Sequence, residues 1–342
     1  MDLRQHLLAG QLIPAHPLAI DQDRQLDERR QRALTRYYLA AGAGGLAVGV
    51  HTTQFAIRDH GLLEPVLALA SDTAREAERD VALIAGVCGG PAQAAREARL
   101  ASDLRYHAAL LSLAGWRHED DATMLAHCRA IAEIIPIVGF YLQRAVGGRA
   151  LGYEFWRAFA EIPGVVAIKI APFDRYATID VVRAVCDTQR DDVALYTGND
   201  DNIVVDLLTP FPTPSGSDEP ARHIVGGLLG HWAVWTARAA AQLSRIKEAR
   251  RSGVLEKCWL SEAAAVTEMN AAVFDVRHGF AGCIPGIHEV LRRQGLIGGT
   301  WCLDPAEQLS PGQAGEIGRV ARRYPHLTDD DFVARHLDDW MR

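Results

Sequence analysis

Residues 164–173 read GVVAIKIAPF, an apolar run that contains a single ionisable side chain, Lys169. Short runs rich in Val and Ile are typical of strands in a buried parallel sheet. Because side chains alternate along a strand, Lys169 shares a face with Ala167, whereas the branched Ile168 and Ile170 face the other side. The stretch therefore predicts a strand whose larger side chains pack against helices and whose lysine points into the interior of the sheet.

Similar apolar runs alternate with amphipathic stretches along the first two-thirds of the chain. The predicted strands cover residues 12–20, 45–50, 81–85, 108–113, 135–141, 165–170, 193–197 and 223–229. The main helical patterns between them cover residues 24–41, 62–79, 91–105 and 120–134. The stretch before the eighth strand, residues 209–220, is rich in turn-forming residues and is interpreted as an insertion.

Eight strand–helix units in about 230 residues predict the α/β fold class and, within it, a (β/α)8 TIM barrel. We expect the barrel over residues 1–250 and a C-terminal helical extension over residues 251–342. The rival is an open, doubly wound sheet, whose dinucleotide-binding form needs a Gly-rich turn between a strand and the following helix. The one similar segment, GAGG at residues 42–45, follows a helical pattern and precedes a strand, which disfavours this rival.

Composition narrows the classes of partner. The net charge is −7 and the isoelectric point about 6.0, which disfavours nucleic acid and anionic membrane surfaces as partners. Residues 37–57 carry no formal charge, but their glycines and polar residues suit a helix end, a turn and a strand better than a membrane span. The start of the chain has no signal-peptide pattern, so we expect a cytoplasmic protein with reduced cysteines. The scattered histidines predict no metal site, and no cofactor is expected.

Lys169 has the character of a reactive amine. Only three of the 36 basic residues are lysines, so arginine supplies nearly all of the ordinary positive charge. Burial lowers the pKa of a lysine, and the neutral amine is the form that attacks a ketone to give an imine. Arginine remains protonated and cannot take that role. The alternative is a strand-end lysine that reaches solvent or pairs with a carboxylate such as Asp174.

Three further segments follow predicted strands and are candidates for the same site. Tyr141 ends the strand before Lys169, and a phenol beside an imine can transfer protons, although such a tyrosine can equally serve packing. Thr52 and Thr53 offer hydroxyl and backbone N–H groups to a carboxylate, or they form a polar turn. Gly198 lets the backbone approach a ligand, or it only permits a turn.

Taken in order, these residues resemble the dihydrodipicolinate synthase / N-acetylneuraminate lyase family of class I aldolases. The segments that carry the resemblance are residues 13–50 (IPAHPLAI…GGLAVGV), ALIAGVCG (82–89), IPIVGFY (135–141), IPGVVAIKIAPFD (162–174), YTGND (196–200) and IPGIHEVLRRQGLIGG (284–299). The resemblance implies the barrel, the C-terminal helices and a homotetramer. It also implies that Lys169 is the Schiff-base lysine and Tyr141 the proton-transfer tyrosine.

The chain also departs from the family pattern. Residues 50–54, VHTTQ, stand near the family's G-T-T-G-E motif, and two alignments of the threonine pair remain open. The family's Y-N-V-P appears as YLQR, and its tyrosine-bearing T-P-Y-Y falls on LAGW at residues 113–116. We therefore expect a divergent member that is not a true dihydrodipicolinate synthase. Candidates for recognising a different substrate, or for structural roles, are His51, Gln143, Arg144, Arg149 and His231.

The sequence thus predicts a lyase that joins Lys169 to pyruvate or another 2-keto acid, followed by aldol chemistry or dehydration. The expected partner is this small-molecule substrate, within a homo-oligomer that is a tetramer or a dimer. One alternative is a phosphate-binding barrel that uses Gly226, Gly227 and Gly230 as an anion cradle. Another is a ligand-binding homologue without catalytic activity.

Overall fold

The computed structural model of the protein describes residues 1–212 and 221–342. These residues contain eight strands: β1 (Leu12–Pro14), β2 (Gly45–Val48), β3 (Ala82–Val87), β4 (Ala108–Leu111), β5 (Ile137–Leu142), β6 (Val165–Ala171), β7 (Ala194–Thr197) and β8 (Gly226–Leu229). Each overlaps a predicted strand.

Helices follow most of the strands. The first group comprises α1 (Leu3–Leu8), α2 (Glu28–Ala40), α3 (Leu63–Ala74), α4 (Pro91–Asp103), α5 (Asp121–Ala132), α6 (Tyr153–Ala160), α7 (Arg175–Asp187) and α8 (Ile203–Leu208). The second group, after β8, comprises α9 (Thr236–Ser252), α10 (Cys258–Val273), α11 (Cys283–Arg293), α12 (Gln313–Arg323) and α13 (Asp330–Trp340).

The strands form one sheet in the order β1-β8-β7-β6-β5-β4-β3-β2. Neighbours from β3 to β8 pair in parallel. The first and last strands of that order are joined by a parallel bridge between Ala15 and Ala47. An eight-stranded parallel sheet whose end strands meet is a (β/α)8 barrel, and the predicted fold class is confirmed.

Two predicted segments differ from the structure. The first strand was expected over residues 12–20 but ends at Pro14. Prolines lack the N–H that a sheet ladder requires, and Pro17 follows so closely that the strand cannot continue beyond the single bridge at Ala15. The predicted insertion at residues 209–220 falls largely on residues 213–220, which lie outside the described residues.

Side-chain caps explain where several helices begin. The Asp120 carboxylate accepts a hydrogen bond from the Thr123 N–H at the start of α5 (2.7 Å), and Asp174 does the same for Ala177 in α7 (3.0 Å). Each cap satisfies an N–H group that has no partner within its helix. Asp174 therefore has a local structural role, distinct from the pairing with Lys169 that was considered as an alternative.

The described residues divide into two compact units. The first comprises Met1–Gln11 and Ala82–Leu228, and thus contains α1, most of the strands and Lys169. In it, β6 is buried along its whole length. The sequence-based division at residue 250 stays a prediction, and that residue lies within α9.

The second unit comprises Leu12–Val81 and Leu229–Arg342. Here the C-terminal helices are tied to α2, because the Tyr37 hydroxyl donates a hydrogen bond to Asp329 (2.8 Å). Asp329 also accepts from the Ala237 N–H (3.0 Å) at the start of α9. Within the part of the chain that the structure describes, no helix combines the length and apolarity that crossing a membrane requires.

Candidate active site

Lys169 lies in the middle of β6, between two neighbouring strands. Its Cα is in register with Phe140 of β5 and with Tyr196 of β7. Only 9% of its surface is exposed, and its Nζ lies 4.4 Å from the centre of the Phe140 ring. A cation on the face of an aromatic ring is stabilised electrostatically, so the ring offsets part of the cost of burying the ammonium.

The protonation of Lys169 is set by burial. Desolvation lowers the pKa of this lysine from its usual 10.5 to about 8, and the nearby Asp200 carboxylate acts in the opposite direction. Because burial has the larger effect, the neutral amine is more populated near physiological pH than it is for an exposed lysine. This is the state required of a nucleophile that attacks a ketone.

Gly198, which follows β7, lies directly against the lysine side chain. A Cβ at this position would be 2.6 Å from Cε of Lys169 and 2.7 Å from Cβ of Ala171. Such distances are too short for any other residue type without movement of the lysine or of the loop. Gly198 therefore closely approaches the side chain of Lys169, and its predicted approach to a ligand stays a prediction.

A buried carboxylate, Asp206, holds the loop after β7. It accepts hydrogen bonds from Thr197 (2.7 Å), Asn199 (3.0 Å) and Asn202 (2.9 Å), and Arg175 pairs with it at 2.5 Å. Desolvation raises the pKa of this carboxyl group, and the arginine and the hydrogen bonds oppose that shift. The network fixes residues 197–199 beside Lys169.

The predicted contact between Tyr141 and Lys169 is wrong. At the start of the two strands Ile137 pairs with Val165, and continuing that register would place Tyr141 opposite Lys169. The register shifts after Ile137, so Lys169 faces Phe140 and Tyr141 pairs with Ile170.

The side chain of Tyr141 consequently lies on the helix-facing side of β5. Its ring packs against Trp156 of α6 with centroids 5.2 Å apart, and its hydroxyl accepts a hydrogen bond from the Leu151 N–H (3.3 Å). A Cβ on Gly139, two residues earlier, would also meet Trp156, which confirms the direction of this face. Tyr141 is a packing residue in this arrangement.

Thr52 and Thr53 lie in a short 3-10 helix, His51–Thr53, in the second unit. The Thr53 hydroxyl donates to the His16 carbonyl (2.7 Å) and accepts from the N–H groups of Gly49 (3.0 Å) and Val50 (3.2 Å). The Thr52 hydroxyl also donates to His16 (3.3 Å). Both hydroxyl groups thus hold the loop, and their predicted contact with a substrate carboxylate stays a prediction.

Replacing Thr53 by valine is expected to lower the free energy of unfolding by about 1–3 kcal/mol, because buried partners lose their hydrogen bonds. Chemical denaturation would measure the change. Thr328→Val is the matched control, since that hydroxyl makes one exposed bond to Pro325 and its loss should cost less than about 0.5 kcal/mol. Equal losses in the two variants would show that the Thr53 network contributes little.

Other predicted ligand residues have structural contacts. Arg149 donates to the carbonyls of Trp116 and Glu119, both at 2.8 Å. Burial lowers the pKa of His231 to about 4, which keeps this imidazole neutral. The ring centre of His51, another predicted specificity residue, is 6.1 Å from that of Phe55. The remaining two, Gln143 and Arg144, lie at the start of a 3-10 helix.

The glycines proposed as an anion cradle are explained by packing. A Cβ on Gly226 would be 2.4 Å from the Gln11 carbonyl oxygen, and one on Gly230 would be 2.8 Å from the Phe274 ring. The Gly227 N–H donates to the Gln11 carbonyl (3.2 Å) and is thus used within the fold. These contacts use the glycines within the fold, and the alternative of a phosphate cradle stays a prediction.

Comparison with known proteins identifies the family to which this barrel belongs. The model of the dihydrodipicolinate synthetase family matches residues 9–210, which is more than half of the chain. The chain belongs to the dihydrodipicolinate synthetase family. This family consists of pyruvate-dependent lyases of the aldolase type that form a Schiff base. A comparison with curated protein sequences gave no match.

Solved structures of the family have the same fold. A dihydrodipicolinate synthase from Agrobacterium tumefaciens is 16% identical, with a TM-score of 0.74 over 96% of this chain and 100% of its own. A synthase from Bacillus anthracis is 17% identical, with a TM-score of 0.73 over 92% and 97%. An N-acetylneuraminate lyase from Fusobacterium nucleatum, solved with pyruvate, is 17% identical, with a TM-score of 0.71 over 95% and 99%. At these identities the likeness shows the (β/α)8 fold.

Sequence reasoning missed two residues of this site, Phe140 beside Lys169 and Asp206, which holds the loop after β7. Phe140 was passed over because it precedes a tyrosine with an attractive hydroxyl, and the shift in register that selects it has no signal in the sequence. Asp206 was passed over because it lies in an apolar helical stretch, IVVDLL at residues 203–208. An isolated carboxylate in such a stretch is itself a signal of a buried polar network.

Proposed function

We propose that the protein is a Schiff-base-forming lyase that acts on pyruvate or another 2-keto acid. The observation that carries the proposal is the buried amine of Lys169, whose pKa is lowered by desolvation. Membership of a family of Schiff-base lyases supports the same reaction class. The altered family motifs support a substrate other than that of a true dihydrodipicolinate synthase.

The chemistry begins when the neutral amine of Lys169 attacks the keto carbon. The resulting carbinolamine loses water to give an iminium ion, which withdraws electrons from the adjacent carbon. Loss of a proton there gives an enamine. In an aldolase, the enamine adds to an aldehyde, or it forms when an aldehyde is released in the reverse direction. In a dehydratase, the enamine expels a neighbouring hydroxyl group. Both reactions share the Lys169 intermediate.

Reductive trapping tests the proposal directly. Borohydride added in the presence of pyruvate reduces an imine to a stable secondary amine, so the peptide containing Lys169 should gain mass. The peptide containing the exposed Lys257 is an internal control and should remain unmodified. Absence of an adduct with pyruvate and with a panel of 2-keto-3-deoxy acids would refute the proposal.

Phe140 beside Lys169 is the observation that favours a second candidate, a homologue that binds ligands without catalysis. An aromatic hydrocarbon ring supplies no proton for imine formation. Saturable binding of a keto acid without reductive trapping would identify this candidate.

The rate of imine formation is expected to rise with pH through about 8. Lys169 must be neutral to attack, and burial lowers its pKa to about 8. Well below that value the rate should fall about tenfold per pH unit, because the neutral fraction falls in that proportion. Rapid-quench trapping with pyruvate across this range would measure the profile. A rate that does not change with pH would contradict the assigned nucleophile.

We also propose that the protein is a cytoplasmic homo-oligomer, either a tetramer or a dimer. The support is family membership together with the composition of the chain. Light scattering coupled to size-exclusion chromatography would measure the mass of the assembly, and a monomer at micromolar concentration would contradict it.

A further inference from the structure

Imine chemistry at Lys169 needs a group that moves protons. The ammonium must lose a proton before attack, the carbinolamine oxygen must gain one to leave as water, and the adjacent carbon must lose one to give the enamine. The nearest side chain on β5 is Phe140, whose ring centre is 4.4 Å from Nζ. Phenylalanine has no titratable group, so a different side chain must transfer the proton.

The hydroxyl of Tyr196, the neighbour of Lys169 on the other strand, already has hydrogen-bond partners. Tyr196 of β7 is in register with Lys169, but its hydroxyl donates to the Leu7 carbonyl (2.8 Å) and accepts from the Gln11 N–H (3.0 Å). This tyrosine is 1% exposed, and desolvation raises its pKa. A phenol that is hydrogen-bonded to two backbone groups is a poor proton carrier. The contacts of Tyr196 instead hold the end of α1 against the sheet.

The loop after β7 supplies a carboxylate as a candidate. Gly198 lies against the alkyl chain of Lys169, and two residues later the Asp200 N–H donates to the Gly198 carbonyl (3.1 Å). This tight turn fixes the backbone of Asp200 two residues after the glycine that lies against Lys169, and Asp200 is only 6% exposed. Its negative charge acts on Lys169.

Other polar side chains of the same loop are occupied. The Thr197 hydroxyl donates to Asp206 (2.7 Å). The Asn199 amide donates to Asp206 (3.0 Å) and to Thr178 (3.0 Å), and its oxygen accepts from the Phe173 N–H (3.0 Å). Asn199 therefore joins the loops after β6 and β7, and Asp200 is the carboxylate of this loop that interacts with the amine.

We propose that Asp200 is the proton-transfer group for the Schiff-base chemistry of Lys169, an inference that rests on the proposed function. The neutral amine of Lys169 bonds to the keto carbon while the C=O π electrons move to the oxygen, and the carboxylate carries a proton from the nitrogen to that oxygen to complete the carbinolamine. The carboxylate then takes up a proton from solvent and passes it to the carbinolamine hydroxyl, which leaves as water and gives the iminium ion. The regenerated carboxylate removes a proton from the adjacent carbon, whose C–H electrons form the enamine double bond while the C=N electrons return to nitrogen.

Exchange of the methyl protons of pyruvate with deuterated water measures this last step without requiring a second substrate. We expect the intact protein to catalyse exchange and Asp200→Ala to lose it by at least about 100-fold, the lower end of the effect of a general base. Asp201→Ala, at the exposed neighbouring position, is the matched control and should exchange at the original rate.

Chemical rescue separates proton transfer from a structural role. Added formate or acetate should restore exchange in Asp200→Ala in proportion to its concentration, because the small carboxylate occupies the space left by the side chain. Exchange by Asp200→Ala at the original rate would overturn the inference, and so would a loss that no carboxylate rescues in a variant with unchanged Tm. If Asp200→Ala does not fold, Asp200→Asn replaces it, and full exchange by that isosteric variant would overturn the inference.

The outcome for Asp200 can be distinguished from the outcome for the proposed function. A protein that gives no borohydride adduct at Lys169 fails the proposed function. A protein that forms the adduct, and whose exchange is unaffected by loss of the Asp200 carboxylate, fails the inference alone.

Discussion

Lys169→Met should abolish both turnover and reductive trapping, with a loss in kcat of at least about 10³-fold, as expected when the nucleophile of a covalent mechanism is removed. Methionine has a similar length and no amine. It fits an environment that is 9% exposed and includes the Phe140 ring, to which a thioether can also pack favourably. The free energy of unfolding should therefore change by less than about 1.5 kcal/mol, because the swap nearly conserves volume and removes a buried charge.

Lys257→Met provides the control, since Lys257 is exposed and lies in the second unit. Turnover of keto acids identified by the trapping experiment, together with thermal denaturation of both variants, would supply the comparison. Retained turnover in the well-folded Lys169→Met protein would remove Lys169 from the mechanism. A comparable loss in Lys257→Met would point to a general effect on the protein.

The sheet was predictable because buried parallel strands have the sequence pattern of short apolar runs. The strand around Lys169 was expected at residues 165–170 and is Val165–Ala171. Boundaries were less predictable where the backbone, rather than hydropathy, decides them. The first apolar run continues to residue 20, but Pro14 and Pro17 interrupt its hydrogen bonding and the strand ends at Pro14. Hydropathy alone therefore gives the number of strands better than their ends.

Of the candidate site, only the lysine was predictable, because its residue type is unusual in this chain. A lysine in an apolar strand of a chain that otherwise uses arginine directed attention to Lys169. The neighbour of that lysine depends on register, and a one-residue shift reverses which face of a strand is presented. The shift after Ile137 exchanges Tyr141 for Phe140, and it arises from pairing between strands that single-strand patterns do not encode. Long-range networks such as that of Asp206 are equally invisible before the fold is known.

Asp206→Ala should lower the free energy of unfolding by about 2–4 kcal/mol, because donors that now bond to the carboxylate would be left buried without an acceptor. The affected groups are the Thr197 hydroxyl and the Asn199 amide, both on residues that are almost completely buried. The contribution of Arg175 should be smaller, since its side chain is 39% exposed and can turn to solvent. Urea denaturation would measure the difference.

Asp180→Ala is the matched control, since Asp180 forms an exposed ion pair with Arg183 on α7, and such pairs contribute about 0–1 kcal/mol. Catalysis should respond as well, because Asp206 fixes the loop that brings Gly198 against Lys169. Without urea, and at a temperature where the Asp206→Ala protein is still folded, we expect imine formation at Lys169 to be slower than in the original protein. Equal stability of the two variants would show that the four partners of Asp206 find other acceptors, and that the loop owes its position to packing alone.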